Sequence, residues 1–216
     1  MGVKPTVFSH RLEKDYYSRK WPTAAVPYLH LEGYVRGWMD PIVFKDKTIL
    51  EIGAGEGGYS RLIAGLFDPK RVIACELFEE RLLPGARENC DSRVSFVAGD
   101  CFRLPVRNES CDVVWGSGVL SQLPNLADAV AEIHRVLTPQ GLYLGFEPNF
   151  FNIGILYRFF VRAHSRNQYL LTLMDLDVFR TMGFDLQATF FYAKIPWLRN
   201  RFLTTCLGIR ARKIGA

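Results

Sequence analysis

The sequence predicts an α/β fold: a doubly wound, mostly parallel sheet of about seven strands behind an N-terminal helical cap. Three observations predict it. Short apolar runs alternate with helically spaced segments from Thr48 to Phe146, a glycine-rich turn directly follows the first run, and the 216 residues suffice for one domain with an appendage. Alternation at this spacing implies parallel strands with helices on both faces, because right-handed crossovers leave little else. With 49% hydrophobic and 23% charged residues, the chain can bury a core, and the composition excludes a disordered protein.

The elements follow in order. Residues 1–40 are rich in aromatics and charges, with Pro22 and Pro27 breaking any long helix, and are expected as a cap of short helices; Asp40-Pro41 is the hinge into a core of residues 41–216. Thr48–Ile52 is the first strand and Tyr59–Phe67 the first helix, stopped by Asp68-Pro69. Val72–Cys75, Glu79–Asn89, Val94–Ala98 and Asp112–Trp115 continue the alternation. The helix Leu126–Leu137 places Leu126, Val130, Ile133 and Leu137 on one stripe. Thr138-Pro139-Gln140-Gly141 is a turn, Leu142–Phe146 a fifth strand, and residues 149–172 an expected lid on the acceptor side. Leu173–Met182 is expected as helix, and Phe184–Ala193 and Leu207–Lys213 as strands.

The five cysteines show no C-x-x-C spacing, so no metal site is expected. No leader of the secretory kind opens the sequence, and the apolar run Phe150–Val161 is interrupted by Arg158 and too short for a bilayer of roughly 30 Å. A cytoplasmic protein is expected. The net charge of +5 is concentrated towards the end, where residues 199–213 hold five basic residues and no acid. That balance suits a solvated tail, with peripheral contact to an anionic membrane as the functional alternative. Nucleic acid is disfavoured as a partner, because the basic residues cluster only there and no binding module accompanies them.

The stretch Glu51-Ile52-Gly53-Ala54-Gly55-Glu56-Gly57-Gly58 fits two patterns. Gly53, Gly55 and Gly58 give G-x-G-x-x-G, while Glu51, Gly53, Gly55 and Gly57 give E-x-G-x-G-x-G. Charge separates them. A dinucleotide would set its pyrophosphate beside Glu51 and Glu56, and like charges at about 4 Å repel by roughly 1 kcal/mol even in bulk water. S-adenosylmethionine carries a sulfonium and an ammonium, which these acids favour. Glu76, ending the second strand, suits a ribose diol, and Asp100, ending the third, can accept from an adenine amino group.

On these residues the chain resembles the class I S-adenosylmethionine-dependent methyltransferases of the small-molecule branch, closely over residues 46–148. The resemblance implies a Rossmann-like sheet with one antiparallel strand. It assigns Glu51, Gly53, Ala54, Gly55 and Gly57 to the methionine end, Glu76 and Leu77 to the ribose, and Asp100, Cys101 and Phe102 to the adenine. Asp112–Leu120 is similar to the family's fourth-strand motif, which places Gly116, Ser117 and Gln122 near the sulfonium. Tyr17, in the cap, is a further contact implied by the family. Glu132–Gly141 resembles the structural segment E-x-x-R-V-L-x-P-G-G, with Gln140 in place of a glycine. Relatives carry His-Leu-Pro where this chain has Gln122-Leu123-Pro124.

Methyl transfer needs alignment more than acid–base chemistry; a base serves hydroxyl acceptors and is dispensable for amines. Glu147, after the fifth strand, is a candidate base or a cap of its turn, and His30 and His164 are further catalytic candidates. His134 is expected to be structural. The expected activity is methylation of a small molecule at oxygen or nitrogen. Its rivals are a membrane-surface enzyme acting on a lipid or lipid-linked sugar, a non-catalytic binding protein, and an NAD-dependent oxidoreductase.

Overall fold

A computed structural model describes residues 41–155, 157, 171–191, 200–204 and 206–215. The cap expected over 1–40, with Tyr17 and His30, and most of the expected lid, with His164, lie outside the described residues.

The strands are β1 (Thr48–Ile52), β2 (Arg71–Glu76), β3 (Val94–Ala98), β4 (Cys111–Ser117), β5 (Leu137–Pro148), β6 (Phe184–Phe191) and β7 (Cys206–Lys213). They form one sheet in the order β3-β2-β1-β4-β5-β7-β6. All pairings from β3 to β5 are parallel, and β7 runs antiparallel to both β5 and β6. The sheet therefore has the one reversed strand that the resemblance implied.

Helix α1 (Gly58–Phe67) links β1 to β2, α2 (Glu79–Glu88) links β2 to β3, and α3 (Leu126–Val136) links β4 to β5; the short α4 (Asp177–Thr181) precedes β6. α1 covers one face, where Ile63, Ala64 and Phe67 pack on Ile49, Val72, Val113 and Trp115. The Trp115 ring is surrounded by Phe44, Tyr59 and Phe146 at centroid separations of 5.7–6.2 Å. α3 and α4 cover the other face, where Val130, Ile133 and Phe179 meet Leu50, Ile52, Val114 and Tyr143. Period-two alternation along β1 explains the split, since successive side chains leave opposite faces. The chain leaves β1 towards one face and β4 towards the other, so a crevice opens at their carboxyl ends.

Two expectations change. The turn at Thr138–Gly141 lies inside β5: Cys111 pairs with Leu137 and Val113 with Leu142, so the intervening residues bulge out of the ladder. The helix expected from Leu173 begins only at Asp177, because Asp175 accepts from both the backbone N–H and the hydroxyl of Thr172 and holds the chain in turns.

Candidate active site

The glycine loop joins β1 to α1. Gly53, Gly55 and Gly57 adopt φ of +63°, +56° and +69°, the left-handed region that L side chains enter at a cost, whereas Gly58 is already helical. The backbone thus follows the E-x-G-x-G-x-G register. Space agrees: a Cβ on Gly53 would stand 2.5 Å from Val119 and one on Gly57 2.4 Å from Phe96. The loop is braced by Ala54 N–H donating to the Cys75 carbonyl at 2.9 Å and Gly57 N–H to the Ala54 carbonyl at 2.9 Å.

Glu76 lies across the loop. It is 4% exposed; its carboxylate accepts from Gly55 N–H at 2.8 Å and from Phe78 N–H at 3.4 Å, and pairs with Arg81 at 3.4 Å. Leu77 beside it is open to solvent. Asp100, exposed after β3, accepts from Phe102 N–H at 2.9 Å, which orders the Asp100–Phe102 turn. Gly99 N–H donates to the Glu76 carbonyl at 2.9 Å, so the turn is tied to the end of β2. Burial, with Glu76 and Asp100 nearby, pushes the thiols of Cys75 and Cys101 up, which leaves both as apolar lining.

Glu51 stands on β1, just before the loop. Its side chain is 2% exposed and accepts from Ser60 Oγ in the first turn of α1. Burial raises its pKa to about 8, against the opposing bonds from Ser60, so at pH 7 it is mostly protonated and neutral. The repulsion of a pyrophosphate argued from Glu51 therefore weakens, and falls to Glu56 and Glu76.

The end of β4 closes the crevice. Gly116 is buried, and a Cβ there would stand 2.9 Å from the Tyr143 hydroxyl; Ser117 is half-buried, and Gln122 Nε2 donates to the Gly118 carbonyl. Glu147 is 1% exposed and accepts three backbone N–H groups, from Val119 at 3.0 Å, Leu120 at 2.8 Å and Ser121 at 3.1 Å. Burial lifts its pKa to about 7 against those bonds. Of the two roles open in the sequence, capping the turn is the one this geometry performs.

The loops after β1, β2 and β4 and the end of β5 thus meet: Gly53 touches Val119, Glu76 binds Gly55, and Glu147 binds Val119–Ser121. Sequence reasoning missed Ser60, Arg81, Tyr143 and Gly85, the last lying where a Cβ would stand 1.7 Å from the Glu56 carbonyl oxygen. A Ser in the first turn after the glycine loop and a Gly inside a helix were the available signals for two of them. The Glu132–Gly141 segment is structural: Glu132 Oε2 accepts from Leu104 N–H at 2.9 Å, and Arg135 donates to the carbonyls of Leu104 and Val106, each at 3.0 Å. His134 is structural too, its ring edge-on to Phe184 at 5.3 Å.

Residues 50–145 match the family described as "Methyltransferase domain". Over 95 residues the chain is 32% identical to the malonyl-[acyl-carrier protein] O-methyltransferase of Methylococcus capsulatus, covering 43% of this chain and 34% of that one. Over 103 residues it is 30% identical to the 24-methylenesterol C-methyltransferase 2 of Oryza sativa subsp. japonica, covering 46% and 28%. The chain spans about a third of the length of these curated relatives. Its fold matches the methyltransferase in the complex with the Haloferax volcanii Trm112 methyltransferase activator with a TM-score of 0.73 at 17% identity, covering 94% of this chain and 93% of that one. The matched residues contain the glycine loop, Glu76, Asp100 and the end of β4. Residues 50–145 are thus similar to the methyltransferase domain family, and the chain has the fold of the solved methyltransferases that it matches.

Proposed function

We propose that the protein transfers a methyl group from S-adenosylmethionine to a small organic acceptor, at oxygen or nitrogen, by in-line displacement. The observation that carries this reading is the loop with Gly53, Gly55 and Gly57 in left-handed backbone and the Glu76 carboxylate on Gly55 N–H. The residues fit the donor. The glycines leave room for backbone approach, and Glu76 retains lone pairs for two ribose hydroxyls. The bound donor supplies a methyl on a sulfonium, which a nucleophile displaces directly.

In this reading Gly53, Ala54, Gly55 and Gly57 hold the methionine end by backbone. Glu51 supports α1 from beneath through Ser60. Glu76 and Leu77 take the ribose, Asp100, Cys101 and Phe102 take the adenine, and Gly116, Ser117 and Gln122 flank the reacting methyl. Glu147 is a positioning residue: it holds Val119–Ser121, and through Val119 the glycine loop. A base, where the acceptor is a hydroxyl, falls to His30 or His164, and Tyr17 completes the methionine end. A nitrogen lone pair attacks unaided, and an oxygen needs only the loss of its proton. The five free thiols, of which Cys75 and Cys111 are buried, suit a reducing compartment such as the cytoplasm.

The test is tritium transfer from methyl-labelled donor into pooled phenols, amines, carboxylic acids and lipids. Label entering one class identifies the acceptor. No transfer to any class, from protein that binds the donor, overturns the catalytic reading in favour of a binding protein.

A further inference from the structure

Five large apolar side chains stand in solvent at the carboxyl edge of the sheet. Phe151, Ile153 and Tyr157 follow β5, and Phe202 and Leu203 precede β7; exposure runs from 41% at Phe151 to 82% at Ile153. The two segments form one surface. Asn149, 1% exposed, donates from Nδ2 to the carbonyls of Arg201 at 2.7 Å and Thr204 at 2.8 Å, and Asn152 donates to the Phe202 carbonyl at 3.1 Å. The Arg201 guanidinium lies 5.7 Å from the centroid of Phe151 and 4.7 Å from that of Phe202. This clamp holds apolar groups outward, where a folded chain has no reason of its own to gather them.

Charge says what covers them. Residues 148–174 and 186–206 contain Arg158, Arg162, Arg166, Lys194, Arg199 and Arg201, and none of the chain's 22 Asp and Glu residues. The positive excess of the chain is therefore concentrated in the two segments that flank the patch. Basic, acid-free sequence in both segments, with Arg201 set among protruding Ile, Leu and aromatic tips, matches the boundary between headgroups and acyl chains. A nucleic acid would use the aromatic rings but leave Ile153 and Leu203, 82% and 61% exposed, without a partner.

We propose that this surface docks on an anionic phospholipid bilayer, with Ile153, Tyr157, Phe202 and Leu203 entering the interface and Arg201 held at the level of the phosphates. The Arg stem lies along apolar groups while its head stays with the lipid anions. The patch lies just beyond the pairing of Pro148 with Cys206, at the same edge as Glu147, so docking turns the candidate active site towards the membrane. The proposal concerns membrane binding alone and stands apart from the donor reading.

Flotation of the full chain with vesicles of phosphatidylcholine, alone or mixed with phosphatidylglycerol, tests it. The chain is expected to float with the mixed vesicles and remain at the bottom with phosphatidylcholine alone. The double variant Ile153→Ser/Leu203→Ser, both side chains in solvent, is expected to keep its melting temperature and lose about tenfold or more of the bound fraction. Absence of flotation with mixed vesicles, or flotation unchanged in the variant, overturns the proposal. So does a dimer in light scattering that the variant dissociates, which would assign the patch to a second copy of the chain.

Discussion

Gly85 shows how one atom can govern the site from outside it. A Cβ there would stand 1.7 Å from the Glu56 carbonyl oxygen, so α2 rests directly on the backbone of the glycine loop. On propensity alone Gly85→Ala would stabilise a helix by about 1 kcal/mol, while overpacking a tight contact costs about 1–3 kcal/mol. The contact wins in this account. Gly85→Ala is expected to lower the melting temperature and to weaken S-adenosylhomocysteine binding by about tenfold, both read by calorimetry; a more stable variant with intact binding would refute the contact. At this scale the sequence was legible in type but not in depth. Gly53, Gly55, Glu76 and Asp100 stand near one another as their spacing implied. The burial of the Glu51 carboxyl was not legible from its charge, since only the bond from Ser60 and the packing of α1 on β1 show it. Likewise, nothing in the residues around Glu147 distinguishes a base from a cap until three backbone N–H groups are seen to converge on it.

Among elements, β5 is where local geometry and residue type disagree. Gln140 sits at φ +66° in the bulge between Leu137 and Leu142. A non-glycine residue in that region costs roughly 1–2 kcal/mol, partly offset by the greater freedom of glycine in the unfolded chain. Gln140→Gly is expected to raise stability by about 0.5–1 kcal/mol, measured by urea denaturation with an unchanged slope. A destabilised variant would mean that the Gln side chain, and not the backbone, holds the bulge. Strands β1 to β4 were legible because each is a short apolar run bounded by Gly, Pro or Asp. The extent of β5 was not, since Thr-Pro-Gln-Gly is turn chemistry and only its ladder with β4 resumes the strand. α4 is shorter than its pattern because local bonds between Thr172 and Asp175 compete with helical ones.

Over the whole molecule, two buried carboxyls make stability depend on pH. Burial raises Glu51 to about 8 and Glu147 to about 7 from an ordinary value of 4.5, so the folded chain binds more protons than the unfolded one between these values. Their contribution is complete below about pH 4.5 and is lost as pH rises through 7 and 8. Glu132, held low chiefly by its bonds from Arg135, works in the opposite sense and is lost in acid. The melting temperature is expected to peak near pH 5–6 and to fall by several degrees by pH 8.5, with Glu51→Gln flattening the alkaline limb. A profile rising from pH 6 to 8.5 would contradict the burial of these groups. The net charge and its gathering over residues 199–213 were legible, but the joining of residues 149–152 to 201–204 needed the fold.

Calorimetric titration with S-adenosylhomocysteine and with NAD, in the wild-type chain and in Glu76→Ala, decides whether the loop with Glu76 holds S-adenosylmethionine. Micromolar binding of the first ligand and none of NAD is expected. The variant is expected to lose about 30-fold or more, which corresponds to ~2 kcal/mol of charge-assisted hydrogen bonds to the ribose. Binding of NAD instead, or S-adenosylhomocysteine affinity unchanged in a folded Glu76→Ala, would contradict the donor reading.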